Sequence, residues 1–129
     1  MNDGAIFSKR APAPIGPYPH ARRAGDFLFV SGTGPRDPRT NAVPEGIEAQ
    51  TRSAIENITM ILEDAGSSLA EVVDVTVFLT DIRRDFAAFN RIYAEYFGEI
   101  RPARTTVGVT GLPTPIDVEL KVVARVGSR

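Results

Sequence analysis

The residues best suited to chemistry lie near the C-terminus, where two segments of β-strand character, 104–110 and 116–125, carry Arg104 and Glu119. A guanidinium binds a carboxylate through two parallel hydrogen bonds, and a carboxyl group can act as a general acid or base. Together they could hold a small carboxylate substrate and transfer a proton to it. This chemistry requires that the fold bring both side chains into one site.

The pairing of these two segments decides which side chains meet. The connection 111–115 contains one glycine and two prolines, which favours a β-hairpin. The register that places Gly108 opposite Glu119 puts the apolar residues on one face. The register that pairs Thr110 with Ile116 would instead place charged residues among the core residues. The polar face then carries Arg104, Thr106, Glu119 and Lys121. Gly108 would leave a hollow beside the carboxylate, with Arg104 about 13 Å along the sheet at ~3.3 Å per residue. If only the hairpin geometry is considered, Arg104 and Glu119 are more often ordinary polar residues on a solvated sheet face than parts of a functional site.

Composition and charge exclude several other classes of site. The 129 residues include no cysteine and one histidine, His20, so neither a thiolate site nor a histidine-based triad or multi-histidine metal site can form within one subunit. The segment Gly32-Thr33-Gly34 lacks the spacing of a phosphate-binding loop. A net charge of -1 argues against nucleic-acid binding through a basic surface. No apolar run is long enough for a membrane span or a signal peptide, so a cytoplasmic location is expected.

Local patterns predict a single domain, 1–129, that begins with an extended arm over residues 1–14. Seven further elements follow from hydrophobic periodicity and turn signals. They are strands at 18–24 and 27–32, a helix at 47–65 that ends at Gly66, a strand at 73–79, a helix that Thr80 or Asp81 caps and that stops at Gly98, and strands at 104–110 and 116–125. We assign the aromatic residues of the second helix to the core.

The element order ββαβαββ predicts an α+β fold in which a mixed sheet carries both helices on one face, because right-handed crossovers from one direction land on the same side. The strand Phe27–Val30 is apolar on both faces and is therefore expected to be central in the sheet and covered on both sides. The face without helices, which would carry Arg104 and Glu119, is expected to pack on other subunits. Charges placed in such an interface are usually paired or functional.

Five motifs spread along the chain are Ile15-Gly16-Pro17-Tyr18, Phe29-Val30-Ser31-Gly32, Phe89-Asn90-Arg91-Ile92-Tyr93, Arg101-Pro102-Ala103-Arg104-Thr105-Thr106 and Asp117-Val118-Glu119-Leu120. In this order they resemble the Rid family of reactive-intermediate imine/enamine deaminases, over residues 10–126. The resemblance implies a chorismate-mutase-like fold and a homotrimer with its sites between subunits.

The resemblance also implies roles for individual residues. Arg104 would bind the substrate carboxylate, and Glu119 would handle the proton and the hydrolytic water. Tyr18, Ser31 and Asn90 would help to build the cleft. The implied reaction is hydrolysis of a 2-amino-2-enoate, or its 2-imino tautomer, to the 2-oxo acid and ammonia without a metal or organic cofactor.

Two positions depart from the housekeeping branch of the family. Thr106 stands where that branch usually has cysteine, and the segment 32–34 replaces its Gly-Gln. The stretch 18–33 is more similar to the 2-aminomuconate deaminase branch, which implies conversion of 2-aminomuconate to 4-oxalocrotonate. A second substrate carboxylate would then need a partner, and the candidates are His20, Arg22, Arg23 and Arg36.

Two other functions stay open from the sequence. A non-catalytic trimer that binds small carboxylates would need Arg104 but would use Glu119 only as a structural pair. An RNA-cleaving protein is a third possibility because that activity is ascribed to some family members, but the net charge and the single histidine give it little support.

Overall fold

The computed structural model describes residues 4–126, so the first three residues of the predicted arm lie outside the described part of the chain. The strands are β1 (Ala5–Ile6), β2 (Ala21–Ala24), β3 (Phe27–Val30), β4 (Val72–Leu79), β5 (Ala103–Gly108) and β6 (Val118–Arg125), the helices are α1 (Ile47–Asp64) and α2 (Ile82–Phe97), and a 3-10 turn spans Leu69–Glu71. The strands form one mixed sheet in the order β1-β2-β3-β6-β4-β5. The predicted α+β fold is confirmed.

The N-terminal arm reaches the sheet only at its edge. β1 pairs with β2, and the prolines that follow β1 cannot donate hydrogen bonds to a ladder. The strand predicted from residue 18 begins at Ala21 instead, because Pro17 and Pro19 lack the N–H group that a ladder needs. β2 and β3 form a hairpin whose turn places Gly25 in the left-handed conformation, at φ 61°.

Both helices pack on one face of the sheet, as the crossover rule predicts. α1 is followed by Gly66 at φ 84°, and the Ser67 N–H donates to the Leu62 carbonyl oxygen as in a Schellman C-cap. α2 is capped by Asp81, whose carboxylate accepts a hydrogen bond from the Arg84 N–H. The core contains fully buried side chains from both helices, β4 and β6, among them Ile55, Ile58, Leu62, Val75, Val77, Leu79, Phe89, Val118 and Leu120. Within residues 4–126, neither helix has the length and apolarity needed to cross a bilayer.

The C-terminal strands do not form the predicted hairpin. β5 pairs in parallel with β4, and β6 pairs antiparallel with β4 and β3, so β4 lies between β5 and β6. The α2 crossover returns the chain parallel to β4, and the connection 109–117 then carries it past the end of β4 to the gap beside β3. β4 has eight residues, most of them apolar, which favours an interior position in the sheet. β5 carries polar residues at 104–106, which favours a position at the edge of the sheet.

No helix of residues 4–126 packs on the face of the sheet opposite α1 and α2, called here the open face. The open face carries Phe27, Phe29, Thr76, Phe78, Val107, Glu119, Lys121 and Val123. β3 buries Leu28 and Val30 fully beneath the helices, whereas Phe27 is 41% and Phe29 44% exposed. The doubly apolar strand is thus interior to the sheet, as predicted, but one chain covers only one of its faces.

Candidate functional site

Arg104 and Glu119 lie on opposite faces of the sheet, which corrects the prediction that they share one. Glu119 pairs with Phe78, and Phe78 pairs with Val107, which puts these three residues on the open face. Arg104 pairs with Val75, which is buried on the helix side. The two Cα positions also differ by roughly 10 Å along the strands and roughly 10 Å across them, at ~3.3 Å per residue and ~4.8 Å per strand. Within one chain the two side chains therefore belong to two separate clusters.

The first group, the Arg104 cluster, consists of Asn90, Tyr93, Arg101, Arg104 and Thr106. The half-buried Arg104 guanidinium carbon lies 4.7 Å from the Tyr93 ring centroid, with Phe89 at 5.6 Å and Phe86 at 5.8 Å. Such distances are those of cation–π contacts. Among the described residues, no carboxylate or carbonyl oxygen accepts a hydrogen bond from the guanidinium. Its N–H groups are thus available to an anion.

Two hydroxyl groups of this cluster are buried without a hydrogen-bond partner in residues 4–126. They are those of Thr106, two residues from Arg104 on the same face of β5, and of Tyr93. Burial raises the pKa of Tyr93 to about 12, and the nearby Arg104 charge offsets only part of that increase. The Tyr93 phenol is therefore neutral at physiological pH. Buried polar groups normally find partners, so unpaired ones point to a missing neighbour or ligand.

The second group, the Glu119 cluster, consists of Tyr18, Ser31, Gly32 and Glu119. A Cβ atom on Gly32 would lie 2.8 Å from Glu119 Oε1, so only glycine leaves the carboxylate in its place. The predicted hollow therefore exists at Gly32 and not at Gly108, where a Cβ would instead meet Ile82 at 3.0 Å. The error has the same cause as the incorrect hairpin, because Glu119 does not pair with β5.

The Glu119 carboxylate is half-buried and has no hydrogen-bond or ion-pair partner among the residues that the structure describes. Burial raises its pKa above the ordinary value of 4.5. A carboxyl group with a raised pKa retains part of its protonated population closer to neutral pH. This property suits a group that must give and take protons.

Tyr18 and Ser31 line a cleft between the arm and the end of β3, together with Gly32. The Ser31 hydroxyl donates to the Pro19 carbonyl oxygen at 2.7 Å. The Tyr18 hydroxyl, on a side chain that is 40% exposed, accepts a hydrogen bond from the Ile15 N–H at 3.4 Å. Gly32 is the residue that this cleft shares with the surroundings of the Glu119 carboxylate. Asn90, which the resemblance assigns to the same cleft, lies in the Arg104 cluster.

His20 fastens the arm to the sheet. Its Nδ1 atom accepts a hydrogen bond from the Ser8 N–H at 2.9 Å, and its Nε2 atom donates to the Pro12 carbonyl oxygen at 2.7 Å. Both ring nitrogens are thus hydrogen-bonded to backbone groups, so neither is available to bind a substrate carboxylate. The bonding pattern fixes the neutral tautomer with hydrogen on Nε2.

The arginines considered for a second carboxylate lie away from the Arg104 cluster. Arg36 donates to Asn41 Oδ1 at 2.8 Å and to the Ala13 carbonyl oxygen at 2.9 Å. Arg23 donates to the Gly25 carbonyl oxygen, and Arg22 lies on β2 opposite Phe29.

Sequence reasoning missed Arg101, which lines the same surface depression as Asn90, Tyr93 and Arg104. It lies three residues before Arg104 and adopts a left-handed backbone conformation, φ 55°, that non-glycine residues seldom occupy. Its place in the motif before Pro102 was the only signal in the sequence. No group of three histidine, cysteine or acidic side chains in residues 4–126 is arranged to hold a metal ion.

The chain is similar to known proteins over almost its whole length. Residues 8–126 match the model of a family described as Endoribonuclease L-PSP. A RutC family protein of Pyrococcus abyssi is 50% identical over 125 residues, which cover 96% of this chain and 98% of that protein. The 2-iminobutanoate/2-iminopropanoate deaminase of Salmonella typhimurium is 39% identical over 122 residues, 92% of this chain and 94% of that enzyme. A Rid-family protein of unknown function from Yersinia pestis has a crystal structure that matches with a TM-score of 0.89 and 42% identity, over 95% of this chain and 98% of that one.

Proposed function

The chain belongs to the Endoribonuclease L-PSP family, which includes RutC and Rid proteins, and on this premise we propose that it is a cofactor-independent imine/enamine deaminase. The substrate is a 2-imino acid or its 2-amino-2-enoate tautomer. Water replaces the nitrogen, so that C=N becomes C=O and the products are a 2-oxo acid and ammonia. The similarity to an enzyme named for this reaction supports the proposal.

One observation carries the proposal: the two ionisable groups that the reaction needs are both unpaired among the described residues, and they lie on opposite faces of the sheet. A single chain cannot bring them together. A second copy whose Glu119 cluster meets the Arg104 cluster at the β5 edge would complete the site. The exposed Phe27 and Phe29 side chains give the open face the apolar character of a subunit interface.

We therefore propose a homotrimer with three such sites, one between each pair of neighbours. Static light scattering at micromolar concentration tests the assembly, and a trimer mass is expected. A stable monomer would leave both clusters incomplete and would contradict the proposed site.

In the proposed mechanism, Arg104 binds the substrate carboxylate through two N–H groups and thereby fixes the adjacent C2 atom. The protonated Glu119 of a neighbouring copy delivers a proton to the enamine carbon or to the imine nitrogen, which makes C2 electrophilic. The resulting carboxylate then accepts a proton from the attacking water, which leaves a carbinolamine at C2. Glu119 passes this proton to the nitrogen and takes up the hydroxyl proton as the C–N bond breaks, so ammonia leaves, C2 becomes a carbonyl carbon and Glu119 is again protonated. In the proposed site, Thr106 and Asn90 line the Arg104 half, and Tyr18 and Ser31, which share a cleft with Gly32, line the Glu119 half.

The substrate chain length is the finer part of the proposal. The named relative acts on 2-imino monocarboxylates, whereas the segment 18–33 resembles enzymes of 2-aminomuconate. We propose that a dicarboxylate such as 2-aminomuconate, giving 4-oxalocrotonate, is also accepted, with its second carboxylate at Arg101. Arg101 and Arg104 line one depression together with the aromatic residues Tyr93 and Phe97, so two cations and apolar side chains share this surface.

Kinetics with the two substrate classes test this finer proposal. Arg101→Gln should raise the KM for 2-aminomuconate by about tenfold and leave that for 2-iminobutanoate unchanged, because only the dicarboxylate has a second charge to lose. Arg83→Gln, an exposed arginine on α2 outside the depression, is the charge-matched control. Equal KM changes for both substrates would remove Arg101 from the site.

The decisive experiment for the reaction compares wild type with Glu119→Gln. The amide keeps the shape of the carboxylate but loses its proton-transfer capacity, so hydrolysis should fall by about 100-fold or more while 2-oxobutanoate still binds. Loss of enamine absorbance and release of ammonia are followed, with uncatalysed hydrolysis as the blank. A wild type no faster than the blank on every imine, with 2-oxobutanoate binding intact, would instead favour a carboxylate-binding trimer. Cleavage of an RNA substrate that Glu119→Gln abolishes would favour the ribonuclease alternative.

A further inference from the structure

We propose that Tyr93 is a positioning residue that fixes the plane of the Arg104 guanidinium and so orients the carboxylate that Arg104 binds. The inference rests on the proposed function. It concerns a residue that acts through Arg104 and takes no part in the proton transfers of the reaction. Of the three rings near the guanidinium carbon, Tyr93 is the nearest, at 4.7 Å against 5.6 Å for Phe89 and 5.8 Å for Phe86. Phe86 is also 39% exposed, which leaves its ring less constrained.

Arg104 needs an external constraint because no hydrogen bond or ion pair within residues 4–126 holds its guanidinium. Other arginines are fixed by hydrogen bonds to carboxylates: Arg52 to Glu95 at 2.7 Å and Arg84 to Asp85 at 2.8 Å. Arg104 has no carboxylate partner in the described part of the chain, and its long side chain has many rotamers. A two-point grip on a carboxylate works only if the plane of the fork is set before the substrate arrives. The ring surface of Tyr93 provides that plane.

Tyr93 can act as a platform because it is itself fixed. Its ring stacks on that of Phe97, with centroids 4.6 Å apart and an interplanar angle of 26°, and it contacts Phe89 at 5.5 Å. Phe89 and Phe97 are buried in the core. The platform is therefore connected to the rigid centre of the molecule, whereas Arg104 lies on the edge strand β5. Because the phenol is neutral at physiological pH, the contact is one between a cation and a neutral ring.

A double-mutant cycle with Arg104 tests this coupling. Tyr93→Phe keeps the ring and should stay within about threefold of wild type in kcat/KM, whereas Tyr93→Leu should lose about 20-fold. In the Arg104→Ala background, the same Tyr93→Leu change should cost less than about twofold, because the group that it orients is absent. Tyr96→Leu, a half-buried tyrosine one turn along α2, is the matched control and should have equal effects in both backgrounds.

Ligand binding separates this inference from the proposed reaction. The same cycle is measured by titration calorimetry with 2-oxobutanoate and, in parallel, with the neutral 2-oxobutanamide. Tyr93→Leu should weaken binding of the carboxylate selectively. If wild type hydrolyses no imine, the proposed function fails, while this selective loss would still support the role of Tyr93. Should Tyr93→Leu fail to fold, Tyr93→Met fills the site with a flexible chain and replaces it. Equal Tyr93 effects with and without Arg104, or on both ligands, would show that Tyr93 only packs α2 and would overturn the inference.

Discussion

The N-terminal arm and the two clusters of the candidate site differ in how their polar side chains are hydrogen-bonded. In the arm, the Ser8 hydroxyl donates to Asp64 Oδ2 at 2.6 Å, Arg10 donates to Asp64 Oδ1 at 2.8 Å, and both ring nitrogens of His20 are bonded. In the clusters, the Arg104 guanidinium and the Glu119 carboxylate have no such partners among the described residues, and the Thr106 hydroxyl is buried and unpaired. Polar groups that are hydrogen-bonded within the chain stabilise its fold, whereas polar groups without an internal partner are available to bind another molecule.

The largest expected effect follows from changing Arg104. Arg104→Lys should lower kcat/KM nearly as much as Arg104→Ala, by about 100-fold or more, because an ammonium keeps the charge but loses the planar two-point contact. Neither variant should lower the melting temperature by more than about 5 °C, since the guanidinium makes ring contacts but no hydrogen bond within the described chain. Steady-state kinetics and thermal melts check both statements. Near-normal kinetics for the lysine variant would reduce Arg104 to a distant positive charge.

A smaller loss is expected from Gly32→Ala. The added Cβ would lie 2.8 Å from Glu119 Oε1, so the carboxylate must move, and we expect kcat to fall by about tenfold as the proton donor is displaced. Gly111→Ala is the matched control, because a Cβ at Gly111 meets nothing within 4 Å. Equal activity of the two variants would show that the position of Glu119 does not matter.

The arm gives the opposite pattern, a loss of stability in place of activity. His20→Ala leaves the Ser8 N–H and the Pro12 carbonyl without their partner, which should lower the free energy of unfolding by about 1–2 kcal/mol. Activity per folded molecule should change far less than in the Arg104 variants. Denaturant unfolding together with kinetics measures both effects. A drop in kcat comparable to that of Arg104→Ala, at unchanged stability, would place His20 in the site after all.

The smallest effect expected is the pH dependence of stability that Glu119 contributes. Its pKa is raised in the folded chain, so between the ordinary and the raised pKa the folded state binds more protons than the unfolded state. The free energy of unfolding therefore falls as the pH rises through this window. Glu119→Gln removes the effect and should melt at a higher temperature than wild type near neutral pH. The difference in melting temperature between wild type and Glu119→Gln should vanish below about pH 4, where the Glu119 side chain is neutral in both the folded and the unfolded state. A variant that melts lower than wild type at neutral pH would indicate an ion pair in the assembly.

Local signals in the sequence predicted the elements well. Gly66 ends α1, Asp81 caps α2 and a turn at Gly25 joins β2 to β3, because each signal acts through a few neighbouring residues. The glycine and proline residues of 111–115 resembled a hairpin turn, but they belong to a connection that passes β4. Which strand lies beside which depends on long-range pairing, and no local pattern contains that information.

The candidate site shows the same limit. Glu119 was predicted correctly on the face away from the helices, whereas Arg104 was placed on the wrong face because its position depended on the incorrect pairing with β6. Tyr93 was assigned to the core by the aromatic periodicity of α2. The structure shows that it also touches Arg104, a contact between distant segments.

The central claim, that one site needs Arg104 from one chain and Glu119 from another, can be tested by mixing two inactive variants. Arg104→Ala and Glu119→Gln chains are refolded together at equal concentrations, and activity is compared with each variant refolded alone. The Arg104→Ala chain still has Glu119, and the Glu119→Gln chain still has Arg104. In trimers mixed at random, about one site in four combines an intact Arg104 from one chain with an intact Glu119 from its neighbour, so about a quarter of wild-type activity should return. Mixed assemblies no more active than the separate variants would contradict the claim.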